Sequence, residues 1–152
     1  MDINQYIKEN NINAEHLVFS ESCHSVEEAA SAARADPADF IKSICIVDDK
    51  KNLYIAILKG EDRLGLKKIA AILGLSNSKV RFANAEEVLQ MTGYPAGGVP
   101  PFGFFARFFI DRKVLDKDIV FGGGGDDHSL IRASPQEIAR INNAEIVECK
   151  KN

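Results

Sequence analysis

The sequence predicts a mixed-sheet α/β (α+β) domain, and three observations predict it. Short β-branched and aromatic runs, such as Ile41 to Val47 and Leu53 to Leu58, alternate with amphipathic stretches that carry helix start and stop signals. Some of these runs lie close enough to pair as hairpins while others are separated by helices, which excludes all-α and all-β classes. The 152 residues, 45% hydrophobic and 27% charged, suit one globular domain over 1–152, with no repeat, low-complexity tract or linker to divide it.

Ile3, Tyr6 and Ile7 repeat at helical spacing, so a helix is expected over 2–10. Leu17-Val-Phe is a short strand. Ser25-Val-Glu-Glu28 matches a capping box and starts a helix over about 26–34. Asp36-Pro37 opens one further helical turn. Ile41 to Val47 and Leu53 to Leu58 read as a hairpin across the polar turn 48–52. Leu64 to Leu73 is an amphipathic helix stopped by Gly74. Val80 to Ala83 is a strand, and Asn84-Ala-Glu-Glu87 caps a helix that ends before Gly93. Phe104 to Ile110 is β-prone, Asp118 to Phe121 and Leu130 to Arg132 flank a glycine-rich turn, Ser134-Pro-Gln-Glu137 caps the last helix, and Ala144 to Cys149 closes as a strand.

No apolar run approaches the roughly 20 residues that span a bilayer. The polar start MDINQYIKENN has no secretory character, so a cytoplasmic protein is expected, with Cys23, Cys45 and Cys149 as reduced thiols. The net charge of -3 disfavours indiscriminate coating of nucleic acid. Its distribution is uneven, because residues 59–81 hold six basic against two acidic side chains, a local +4. That segment is either a solvated helix face with its flanks or a patch for a phosphate backbone, with Arg63, Lys67, Lys68, Lys79 and Arg81 as the contact candidates.

Familiar catalytic signatures are absent: there is no GxxxxGK[ST], GxSxG or HExxH. His16, Cys23 and His24 have no metal-ligand spacing, and no metal or organic cofactor is expected. A Cys23–His128 nucleophilic pair is a weak alternative that sequence cannot establish. Three features remain. Lys42 shares a strand face with Ile44 and Ile46; its ammonium either snorkels to water or delivers a fixed charge into a pocket for a phosphate or carboxylate. Gly93 to Gly103 holds four glycines and three prolines, so it is either a structured turn or a loop that aims backbone N–H groups at a ligand oxygen. Gly122 to Gly125, followed by His128 and Ser129, is a hairpin tip or a place where a ligand presses against the backbone.

In this order, these features resemble the YbaK / prolyl-tRNA synthetase-associated editing domain family. The likeness runs nearly end to end, through Val26 to Ala30, Ile41-Lys42-Ser43, Leu66-Lys67-Lys68, Lys79-Val80-Arg81, Glu86-Glu87-Val88, the motif Thr92-Gly-Tyr-Pro-Ala-Gly-Gly-Val-Pro-Pro-Phe-Gly103, and the glycine run before Ser134. The proline-glycine motif is the specific part. The resemblance implies a partly barrel-like sheet flanked by helices and an aminoacyl-tRNA deacylase. Such an enzyme acts in trans on Ala-tRNA(Pro) or Cys-tRNA(Pro), with the substrate's own ribose hydroxyl enlisted as base. It also implies roles for residues: the family's strand lysine falls on Lys42, its G-x-x-x-P loop on Gly97 to Pro101, and its second glycine loop on Gly122 to Gly125. Lys42, Gly97 and Gly98 are thus the catalytic candidates. Phe40, Ser43, Ile44, Val99, Pro100, Pro101, Gly122, Gly123, Gly124, His128 and Ser129 are the substrate-binding candidates, and His128 inclines the reading toward alanine. The expected partners are aminoacylated tRNA and prolyl-tRNA synthetase, for a monomer or weak homodimer with no membrane contact. The alternatives are a non-catalytic tRNA- or synthetase-binding module of the same fold and a small-ester hydrolase.

Overall fold

The most apolar run in the sequence becomes the middle strand of the larger sheet. In the computed structural model, which describes residues 2–152, the elements in chain order are α1 (Ile3–Glu9), β1 (Ala14–Val18), α2 (Val26–Ala33), β2 (Ile41–Asp48), β3 (Leu53–Lys59), α3 (Leu66–Leu73), β4 (Val80–Phe82), α4 (Ala85–Thr92), β5 (Arg107–Asp111), β6 (Val120–Gly123), β7 (Ser129–Ala133), α5 (Pro135–Asn142) and β8 (Glu145–Val147). Single 3-10 turns occupy Pro37–Asp39, Asn77–Lys79 and Arg112–Asp116. One sheet has the order β4-β2-β3-β5-β8 and the other β1-β7-β6. The larger is mixed: β2 pairs antiparallel with β3 and β4, whereas β3–β5 and β5–β8 are parallel.

Period-2 alternation explains why β3 is apolar throughout. Leu53, Ile55 and Ile57 enter a core cluster with Cys45, Val47, Phe102, Phe108 and Ile110. Tyr54, Ala56 and Leu58 face the opposite way, into a second cluster covered by Ile69 and Ala70 of α3. A strand covered on both faces has no polar side to show. A third, smaller cluster sets Ala29 and Ala30 of α2 over Phe40, Phe121 and Leu130.

The two sheets do not close into a barrel, which corrects the barrel-like expectation. β4 and β8 end one sheet and β1 and β6 the other; among the described residues no ladder joins them. They meet instead at one parallel bridge, Phe40 to Phe121, whose rings stack with centroids 5.2 Å apart. Two other boundaries shift. Gly122 and Gly123 belong to β6, paired with Ile131 and Leu130, so the turn begins later than the glycine run suggests. The last strand ends at Val147 because the Cys149 and Lys150 N–H groups leave the ladder and donate to Asp111 Oδ1 at 2.8 and 3.0 Å. Beyond it the tail runs along residues 63–65, with the Gly65 N–H donating to the Cys149 carbonyl at 2.7 Å and the Lys151 N–H to the Arg63 carbonyl at 2.6 Å.

Glycine is required where the two loops touch. A Cβ on Gly123 would lie 2.5 Å from the Val99 carbonyl oxygen and 3.0 Å from the Gly98 carbonyl carbon. The Gly125 N–H donates to the Gly98 carbonyl at 2.8 Å across the same seam. Gly123→Ala is therefore expected to cost about 2 kcal/mol or more, as overpacking against backbone does. Chemical denaturation checks it.

At the far end of β2 the buried Asp48 carboxylate accepts from the Lys50 and Asn52 N–H groups (2.9 Å each), Asn52 Nδ2 (2.9 Å) and the Tyr54 hydroxyl (2.8 Å). Burial pushes this carboxyl up, but the Asn52, Tyr54 and Lys50 hydrogen bonds outweigh it and hold the pKa at about 2. A depressed folded-state pKa adds stability that is complete above the unfolded value, about 3.9, and is lost as pH falls through the folded one. Stability should thus decline between about pH 4 and pH 2, and Asp48→Ala should remove this contribution and about 2 kcal/mol at neutral pH. Thermal melts of both proteins across that range would show it.

Candidate active site

The N-terminal end of β2 meets the seam between the sheets, and a cavity of about 170 Å³ opens there. Its walls bring together residues far apart in sequence: Cys23 to Val26 and Ala29 at the start of α2, Phe40 to Ser43 of β2, Gly97 and Val99 of the proline-glycine loop, and Gly122, Gly123 and Leu130 of the small sheet. Lys42 thus lines the same hollow as both glycine segments.

Among the described residues the Lys42 ammonium has no ion-pair partner, whereas Lys59, Lys117 and Lys150 nearby are paired to Glu61 (2.8 Å), Asp39 (3.1 Å) and Asp62 (3.8 Å). Burial lowers the Lys42 pKa, with Asp62 pulling it up and Arg63 pushing it down. A partly desolvated, unpaired cation at the wall of a cavity is a receptor for an anionic oxygen.

The backbone donors divide into free and committed ones. The Gly98 N–H donates to the Pro95 carbonyl at 2.9 Å, and the Gly125 N–H is held by Gly98, so neither is open to a ligand. Gly98 is therefore a buttress, which corrects its expected donor role. Gly97, in contrast, lines the cavity with φ +89 and room around a would-be Cβ, and its N–H has no backbone partner among the described residues.

Of the sequence-predicted substrate residues, Phe40, Ser43, Val99, Gly122 and Gly123 line the cavity, and the others do not. Ile44 shares its face of β2 with Lys42 but lies one step further along the strand, where it packs with Ile46 against the α3 cluster. Pro100 and Pro101 are buried, the Pro101 carbonyl accepting from Asn142 Nδ2 at 2.7 Å. Gly124 makes room for Ser129, whose buried hydroxyl donates to Asp126 Oδ1 at 2.9 Å. His128 lies outside on the turn, its Nδ1–H donating to the Glu21 carbonyl at 3.0 Å and its Nε2 3.5 Å from Asp127. Burial first, and the carboxylates of Asp126, Glu21, Glu28 and Asp127 after it, raise the Cys23 pKa, and the His128 nitrogens are turned to Glu21 and Asp127, so Cys23 and His128 make no pair among the described residues.

Sequence reading missed the contribution of residues 23–26 and Ala29 to the cavity. The capping box at Ser25 located the helix, and its Ser25 Oγ accepts from the Glu28 N–H at 3.1 Å. Nothing in the pattern said that the turn before it folds over β2.

The basic segment does not form one patch. Arg81 is clamped by Glu87 at 2.7 and 2.8 Å, and Lys79 faces Asp49 at 3.9 Å. Both sit where β4 pairs with Val47 and Asp48, six residues and about 20 Å along β2 from Lys42. Lys68 Nζ donates to the Lys150 carbonyl at 2.7 Å and Asn152 Oδ1 at 2.9 Å. Arg63 and Lys67 are the members with neither an ion pair nor a side-chain hydrogen bond among the described residues, and Arg63 lies close enough to bear on the Lys42 charge. No group of three or more His, Cys, Asp or Glu is placed to hold a metal ion among the described residues. No helix of those residues is long and apolar enough to cross a membrane.

Comparison with known proteins gives this arrangement a context. The chain is 25% identical over 134 residues (87% of this chain, 80% of the relative) to the Enterococcus faecalis protein named "Putative Cys-tRNA(Pro)/Cys-tRNA(Cys) deacylase EbsC". It is 32% identical over 109 residues to a proline–tRNA ligase of Solidesulfovibrio magneticus, matching 71% of this chain but 19% of that enzyme. A crystal structure described as "a putative trans-editing enzyme for prolyl tRNA synthetase" superposes with a TM-score of 0.89 at 27% identity, covering 99% of this chain and 95% of that one. Since the family model described as "Aminoacyl-tRNA editing domain" matches residues 20–141, spanning both glycine segments and the strand that carries Lys42, the chain belongs to the aminoacyl-tRNA editing domain family.

Proposed function

We propose that this protein is a trans-acting deacylase that hydrolyses the ester between a wrongly attached small amino acid, alanine or cysteine, and the 3′-terminal adenosine of tRNA(Pro). The observation that carries this reading is that Lys42, whose ammonium has no ion-pair partner among the described residues, lines one cavity with Gly97, Gly122 and Gly123. An aminoacyl ester is already activated, so the site has to place water at the carbonyl, hold the nucleotide and stabilise the developing oxyanion. The open Gly97 peptide supplies a donor, and Lys42 holds the terminal phosphate or the oxyanion. No protein nucleophile is required, in keeping with the protonated Cys23 thiol.

Substrate size is set by Phe40, Ile41, Val99 and Leu130, apolar walls around a small volume. Fit alone separates side chains by only ~1–3 kcal/mol per methylene, which admits both alanine and cysteine. With His128 outside the cavity, its presence no longer favours alanine, and the likeness to EbsC supports cysteine equally well. The net charge of -3 and the dispersed basic side chains support a further reading, that a synthetase partner supplies much of the tRNA affinity.

Purified protein should release amino acid from Ala-tRNA(Pro) or Cys-tRNA(Pro) well above the spontaneous rate and leave Pro-tRNA(Pro) nearly untouched. Affinity for the tRNA without turnover would make it a binding module, and turnover of a simple ester lacking adenosine would make it a small-ester hydrolase. Lys42→Ala should lower kcat/KM by about 100-fold or more at unchanged fold, checked by circular dichroism. Because burial lowers the Lys42 pKa, substrate binding should weaken as pH rises through a value below the ordinary 10.5. Lys42→Arg should lack that alkaline loss, since a guanidinium remains charged there. Tenfold-range titrations of tRNA binding between pH 7 and 10 would show the difference.

A further inference from the structure

The cavity has a neighbour. A groove of about 330 Å³ is lined by His24, Pro95, Ala96, Gly97, Gly98, Asp126 and Asp127. Two residues, His24 and Gly97, line both compartments. An aminoacyl-adenosine has the same layout: a base on one side, an acyl ester on the other, and a ribose that joins them. The groove offers flat walls of Pro95, Ala96 and glycine peptides for a base, while the cavity holds Lys42 and the small apolar pocket. Whatever stands at the boundary meets the sugar, and among the described residues the only side chain there with polar atoms is His24.

The three histidines of the chain are not equivalent. His16 Nε2 is taken by the Gly124 carbonyl at 3.0 Å, and His128 Nδ1 by the Glu21 carbonyl at 3.0 Å with Asp127 beside its other nitrogen. Both ring nitrogens of His24 are without a protein partner among the described residues, and the residue is held in place through its backbone, whose N–H donates to Ser22 Oγ at 3.2 Å. A neutral imidazole carries one N–H donor and one acceptor, the pair that a ribose hydroxyl needs.

We infer that His24 is a positioning residue that holds the ribose hydroxyl next to the scissile ester, through the juxtaposition of the two compartments at its ring. This rests on the deacylase reading above. In the reaction, water adds its oxygen to the carbonyl carbon, the carbon–oxygen bond to the ribose breaks, and the proton lost by water ends on the ribose oxygen released. His24 exchanges no proton in the net step. It fixes the neighbouring hydroxyl by hydrogen bonding, so that this hydroxyl can relay the proton from water to the leaving oxygen.

The test is a double cycle between residue and substrate, using the full chain and tRNA(Pro) mischarged on the 3′-oxygen of either adenosine or 2′-deoxyadenosine at its terminus. On the ribo substrate, His24→Ala should lower kcat by about 10- to 100-fold, and His24→Gln, which keeps a donor and an acceptor, should recover most of it. On the 2′-deoxy substrate, wild type and His24→Ala should differ by less than about twofold. Equal losses on both substrates would assign His24 a structural role and overturn the inference while leaving the deacylase reading standing. So would full activity of His24→Ala on the ribo substrate. Wild-type protein with no turnover on either substrate would overturn the deacylase reading, and this inference with it.

Discussion

The stack of Phe40 on Phe121 is the contact on which the site depends. These two rings close the single bridge between two sheets that otherwise share no ladder, and the cavity opens directly beside them. An offset aromatic pair buried at about 5 Å contributes roughly 0.5–1.5 kcal/mol beyond its area, which is modest. Its larger effect is geometric. It brings the start of β2 against β6, so that a lysine on one sheet and glycines on the other border the same space. Seen from this contact, Gly123 serves proximity: β6 lies against the proline-glycine loop so closely that a side chain there would strike backbone, while Gly124 makes the same room for Ser129 and Leu130 of β7.

The electrostatics of the cavity follow from the same geometry. Lys42 sits on a face that continues into Ile44 and Ile46, so the strand carries it to the edge of an apolar layer and ends there. Partial desolvation works against the ammonium, and Asp62 and Arg63 pull in opposite directions. At the other wall, four carboxylates bear on Cys23.

Much of the fold was legible in the sequence because its signals are local. Capping residues Ser25, Asn84 and Ser134 and the stop at Gly74 mark helix ends through hydrogen bonds made within a few residues, and each bond is present. Strand pairing across residues 48–52 is local too. The site was legible in part, through the placement of Lys42 and the two glycine segments. Ile44 was misjudged because period 2 says which residues share a face and not which layer that face meets. Gly98, Pro101 and Ser129 looked like ligand contacts because loop composition cannot distinguish a backbone group turned to a ligand from one turned to a neighbouring loop. Arg81 and Lys79 were grouped with the basic segment by sequence distance, yet the length of β2 separates them in space from Lys42. His24 was weighed only as a metal ligand, because nothing near it in the chain announces the two compartments that it lines.

The tail after β8 has a bearing on the site although it lies far from it in sequence. Residues 149–151 fasten the strip 63–65, and that strip adjoins the charges that bias Lys42. Lys150 also faces Asp62 at 3.8 Å. Loss of the last few residues would therefore release the segment that carries Asp62 and Arg63, and the electrical surroundings of Lys42 would change without any alteration in the strand that bears it.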